Sequence, residues 1–190
     1  MHDVLSTRLE VISHKLMKHH RIRDIVVKSL LGVHASGCMY NLGNCDWAYK
    51  PVSDAIYLPK TQHCEDLPPI FIVVQSIIDS TFMEKLIKHS LSLYEEYQIL
   101  PILLIISVEG YLNEEIKSKF KSNEGSFLME ANCQFWANRC CVMSSESILG
   151  SIDEYPLDKL VALAYCFIDT ENSSHRDDPT IKSFFDLVNE

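Results

Sequence analysis

The sequence predicts an α/β protein in which a mixed central sheet is flanked by helices. Ile70 to Val74 is continuously apolar and Pro101 to Val108 is apolar but for Ser107, as strands covered on both faces are. Between them the apolar period becomes helical, at Phe82, Leu86, Leu93 and Tyr97 with Ile87 and Tyr94 alongside. A strand, a helix of about 17 residues and a second strand make a right-handed crossover, which sets the two strands parallel.

The remaining elements are expected in this order. Leu5, Leu9, Ile12 and Leu16 form a helical stripe, with Asp3 placed to cap it. A second helix is expected from Ile22 to Leu31, ending at Gly32. Residues 34–54 mix Gly, Asn and Pro and read as turns with short strands. Ser53 to Leu58, "SDAIYL", is a short strand opened by an acid. Leu112 to Phe120 reads as a short charged helix, and Arg139 to Met143 as a further strand. C-terminal helices are expected over Leu157 to Ile168 and Pro179 to Val188, the latter with proline in its first turn after Asp177 and Asp178.

At 190 residues the chain is long enough to bury a core and reads as one domain. Residues 1–31 would be N-terminal helices, 38–143 the α/β core and 144–190 a helical C-terminal extension. A 47% hydrophobic content excludes a disordered chain. Apolar runs such as Ile102 to Ile106 are too short to span a bilayer, and the first residues lack the apolar stretch of a signal peptide. An intracellular protein with no membrane partner is therefore expected.

Charge is uneven. Residues 1–30 hold six Lys and Arg (Arg8, Lys15, Lys18, Arg21, Arg23, Lys28) against three acids, and residues 151–190 hold three against nine. The net charge of −9 argues against non-specific nucleic-acid binding, which requires phosphates to be neutralised. The basic N-terminal helices are the one region suited to face nucleic acid, and a solvated helix face is the plainer reading. Seven cysteines without regular spacing suit a reducing compartment. His34, Cys38, Cys45, His63 and Cys64 can be drawn as a zinc site, but no CxxC pair anchors it. Arg139 beside Cys140 and Cys141 suggests a lowered thiol pKa, or else a strand alternating between core and surface. Neither a G-x-S-x-G elbow nor a phosphate-binding glycine loop occurs.

An acid opens one strand, and the apolar run Phe71 to Val74 ends in a single amide, Gln75. With "KLIKHSLSLY", "PILLII", "FWANRCCVMSSESI" and "RDDPTIKSFF", this pattern resembles the PD-(D/E)XK nuclease superfamily over roughly residues 50–185. It is most similar to the transposase-like, Rpn-related branch that is expanded in early-diverging fungi. The resemblance implies that Asp54 is the motif aspartate, that Gln75 stands where other branches carry the motif lysine, and that Ser76 is the serine that often follows. The motif glutamate falls on Val73. Glu10 on the first helix is a candidate for the additional acid of some members. Active members bind Mg²⁺ through Asp and Glu carboxylates, and the metal activates water for attack on phosphorus. With valine at 73, only Asp54 would remain as a metal ligand, unless Asp46, Glu65, Asp66, Asp79 or Glu84 substitutes.

Two functions follow. The first is a catalytically degenerate nuclease fold acting as a binding or assembly module, with self-association through any exposed edge strand. The alternative is a Mg²⁺-dependent endonuclease with a substitute carboxylate. An unrelated α/β domain is a third reading of the fold.

Overall fold

The computed structural model describes residues 12–43, 53–61, 66–122, 125–168 and 177–189. Residues 12–18 form helix α1, followed by α2 (His20–Leu31). The His19 imidazole caps α2 by accepting from the Arg21 N–H at 3.2 Å. Ile22, Val26, Val27 and Leu30 form its buried stripe, and Gly32, at φ 89°, ends it in a conformation that favours glycine. A 3-10 turn (Gly37–Met39) then folds back on α2. A Cβ at Gly37 would lie 2.5 Å from the Asp24 backbone nitrogen, so only glycine permits this approach.

Among the described residues seven strands, numbered in chain order, form one sheet in the order β1-β2-β3-β4-β7-β6-β5. Strand β2 (Ser53–Pro59) runs antiparallel to both of its neighbours, β1 (Tyr40–Gly43) and β3 (Ile70–Gln75). Strand β4 (Ile102–Ser107) lies parallel to β3, and β7 (Arg139–Ser144) parallel to β4. Strands β6 (Met129–Ala131) and β5 (Phe120–Ser122) close the far edge antiparallel. The sheet is mixed, and its centre is the predicted crossover. Helix α3 (Ser80–Tyr97) makes that crossover, capped by the Asp79 carboxylate accepting from Phe82 N–H at 2.6 Å.

Side-chain alternation divides the core into two layers. Ala55, Tyr57, Ile72, Leu104 and Cys141 face α1, α2, α6 (Lys159–Ile168) and α7 (Pro179–Asn189). Ile56, Phe71, Val73, Leu103, Ile105 and Val142 face α3 and the short α4 (Glu114–Lys117). The C-terminal helices are an integral layer, since α6 is buried at every position from Leu160 to Phe167.

One local expectation is corrected, and two short features were not anticipated. Helix over Leu112 to Phe120 is confined to α4, and Phe120 opens β5 instead. The β5–β6 hairpin has three-residue strands, too short to show an alternating pattern. The four-residue α5 (Ser145–Ile148) also left no periodic signal, although a Ser144–Ser147 capping box fixes it. Asp3, Leu5 and Leu9 lie outside the described residues.

Candidate functional site

The β2–β3 register places Asp54 directly opposite Val73. Directly opposed residues share a face, and Val73 belongs to the layer under α3. Gln75, two residues further along β3, lies on that same face. Aspartate, valine and glutamine thus share one surface on adjoining strands, where β2 begins and β3 ends. Asp54 is half-buried, and Val73 is wholly buried. The Gln75 amide donates to the Ile77 carbonyl at 3.3 Å.

Helix α3 adds a group that the sequence reading passed over. The His89 ring packs on Phe71, with centroids 4.7 Å apart, and feels the charge of Asp54. Burial lowers the imidazole pKa, and the Asp54 carboxylate opposes this without overcoming it. The signal was present, since His89 lies three residues after Leu86 and four before Leu93 on the buried stripe of α3.

The ends of the parallel strands carry a polar rung in which Gln75, Ser107 and Ser144 are register partners. The two serines are engaged in the fold, as the Gln75 amide is. Ser107 Oγ donates to the Gly110 carbonyl at 2.7 Å and accepts from Gly110 N–H at 3.1 Å. Ser144 Oγ accepts from Ser147 N–H at 3.3 Å. The loop after β4 is tied to the loop after β3 by Glu109 N–H on the Ser76 carbonyl, at 2.7 Å.

Among the described residues the other candidate acids do not converge here. Asp66 precedes β3, at the end of the strand away from Gln75, and is exposed. Asp79 is occupied in capping α3. Glu84 is exposed and paired with Lys88 at 2.7 Å, which lowers its pKa. Glu10, Asp46 and Glu65 lie outside the described residues, as do Cys45, His63 and Cys64 of the conceivable zinc set. Among the described residues no group of three or more His, Cys, Asp or Glu is arranged to hold a metal.

The reactive-thiol expectation is corrected. Cys140 and Cys141 point into opposite core layers, so neither faces solvent. Burial raises both pKa values, that of Cys141 to about 12. Arg139, expected to lower them, bonds to Glu130 and to the Leu30 carbonyl. The basic helices are also partly committed: Lys15 donates to the Val188 carbonyl, and Lys28 pairs with Asp24 at 2.7 Å. Arg8 is outside the described residues.

The donor set tests the Mg²⁺ centre that the resemblance implies. Asp54 offers one carboxylate and Gln75 one amide oxygen, and the side chain facing Asp54 is a hydrocarbon. Mg²⁺ demands near-octahedral oxygen coordination and gives up water reluctantly. These residues do not fit a two-carboxylate magnesium centre. No helix among the described residues is long and apolar enough to cross a membrane. No protein-family model matches the chain, and neither a curated protein nor a solved structure matches it.

Proposed function

We propose that this chain is a PD-(D/E)XK-like nuclease fold that has lost its metal centre and serves as an intracellular binding or assembly module. The observation that carries the proposal is the pairing of Asp54 with Val73 on the face that also bears Gln75. A carboxylate and an amide remain where the motif expects them, and a buried isopropyl group replaces the second acid. The order of helix, three strands, helix, strand around these positions supports the same descent. Nucleic acid reached through the basic N-terminal helices, and a second copy paired along an edge of the sheet, are the partners this reading offers.

The test is incubation with plasmid and single-stranded DNA under Mg²⁺ or Mn²⁺, comparing the natural chain with a folded Asp54→Ala variant. The degenerate reading expects no metal-dependent cleavage by either. Cleavage lost in the variant would establish the endonuclease alternative instead.

A further inference from the structure

On the face of the sheet away from Asp54, helices α2 and α7 and the 3-10 turn surround a cleft of about 520 Å³. That volume lies in the range of small-ligand sites, roughly 300–1,000 Å³. His20, Arg21 and Arg23 from α2 and Lys159 from the start of α6 line it, with the hydroxyl residues Thr180 and Ser183 from α7. Phe184 and Leu187 of α7 and Ile25 of α2 add an apolar strip.

Among the described residues the one acid in this lining is already compensated. The Asp24 carboxylate pairs with Lys28 at 2.7 Å and accepts from Ser36 Oγ and Gly37 N–H, each at 2.9 Å. The cations of the wall therefore remain in excess, within a chain of net charge −9. Arg23 Nε donates to the Gly37 carbonyl at 3.0 Å, which orients its guanidinium. A planar guanidinium so held suits side-on recognition of phosphoryl oxygens. The first N–H groups of α7 are satisfied by Asp178, at 2.7 Å to Thr180, so the anion's partners are side chains and not the helix end.

We propose that this cleft binds a small phosphate monoester of nucleotide size. The phosphoryl group would sit among Arg21, Arg23 and Lys159, and the organic part against Ile25 and Phe184. A long polyanion fits less well. It needs a row of phosphate contacts, whereas Lys15 and Lys28 are engaged within the fold and Asp177 and Asp178 flank the cleft at α7. The inference is independent of the nuclease-fold reading, because the two sites lie on opposite faces of the sheet.

Cys38 is exposed and lines the same cleft, so it reports occupancy. Alkylation of Cys38 in the full chain by N-ethylmaleimide would be followed by peptide mass spectrometry. The additions are adenosine 5′-monophosphate, inorganic phosphate, adenosine or a short oligonucleotide. The nucleotide is expected to slow Cys38 modification severalfold, and adenosine to leave it unchanged. Arg21→Gln and Lys159→Gln, both at exposed positions, should each weaken the nucleotide's protection by about tenfold, the loss expected for one charge-assisted contact. Arg23→Gln should do the same, but it also releases the Gly37 carbonyl, so the two exposed sites carry the decision. Equal protection by adenosine, tighter protection by the oligonucleotide, or none from either the nucleotide or phosphate at about 10 mM would overturn the proposal.

Discussion

Val73→Glu restores the acid that the resemblance implies, and its cost follows from the sheet geometry. Val73 is fully buried and faces Asp54 across the β2–β3 pair. Opposed Cβ atoms on antiparallel strands lie about 4.5–5.5 Å apart. Two carboxylates about 5 Å apart, at an effective permittivity of about 20, repel by roughly 3 kcal/mol. That alone raises the new carboxyl's pKa by about two units, and burial raises it further. The sign follows from proton uptake: a carboxyl whose folded pKa lies above its unfolded value makes the folded state bind more protons in between. The penalty is therefore absent below about pH 4, grows as pH rises to the folded pKa, and is constant above it. Urea unfolding from pH 4 to pH 8 should show the variant losing stability as pH rises. Val73→Thr, polar but uncharged, should lose a pH-independent amount. Combining Val73→Glu with Asp54→Asn should recover up to about 3 kcal/mol at neutral pH. Additivity of the two substitutions within about 0.5 kcal/mol would refute the facing geometry.

Further outcomes are expected elsewhere. Asp24, held at a pKa of about 2 chiefly by Lys28, contributes stability above the ordinary carboxylate pKa that is lost as pH falls towards 2. Its side chain is 34% exposed, so Asp24→Asn should cost about 1 kcal/mol at pH 7 after allowing for solvent screening, with little cost near pH 2. The lowered pKa of His89 means the unfolded chain takes up its proton first, so stability falls as pH drops below about 6.5; His89→Gln should flatten that acid-side slope in thermal unfolding. Asp54→Asn should lower the His89 pKa further, read from its imidazole resonances by NMR, because the Asp54 charge now holds it up. Ser107→Ala removes a buried hydroxyl that both donates to and accepts from Gly110, and should destabilise by about 1–3 kcal/mol in urea unfolding.

The legible parts of the fold were those set by long periodic signals. The apolar runs of β3 and β4 and the stripe Phe82, Leu86, Leu93 gave the crossover, because strands buried on both faces and helices buried on one leave different patterns. Strands β5 and β6 left no such signal, since three residues cannot show an alternation and those of β6 are all only half-buried. Asp54 and Gln75 were legible as the acid opening one strand and the amide ending the next, but their shared face depends on β2–β3 register, which a sequence does not display. The place of His89 on the α3 stripe was legible, but its partners were not, because Phe71 and Asp54 come from two other elements. Arg139 misled, since its ion-pair partner Glu130 lies on a strand that was not anticipated.

Manganese titration of Val73→Glu beside the natural chain, followed by the midpoint of thermal unfolding at pH 7, probes the lost-ligand reading most directly. Mn²⁺ should raise the midpoint of the variant, because a second carboxylate then faces Asp54 and bound metal stabilises only the folded state, while the natural chain should not respond. A rise in the natural chain that Asp54→Ala abolishes, or no response in a folded Val73→Glu protein, would contradict the assignment of position 73 as the missing ligand.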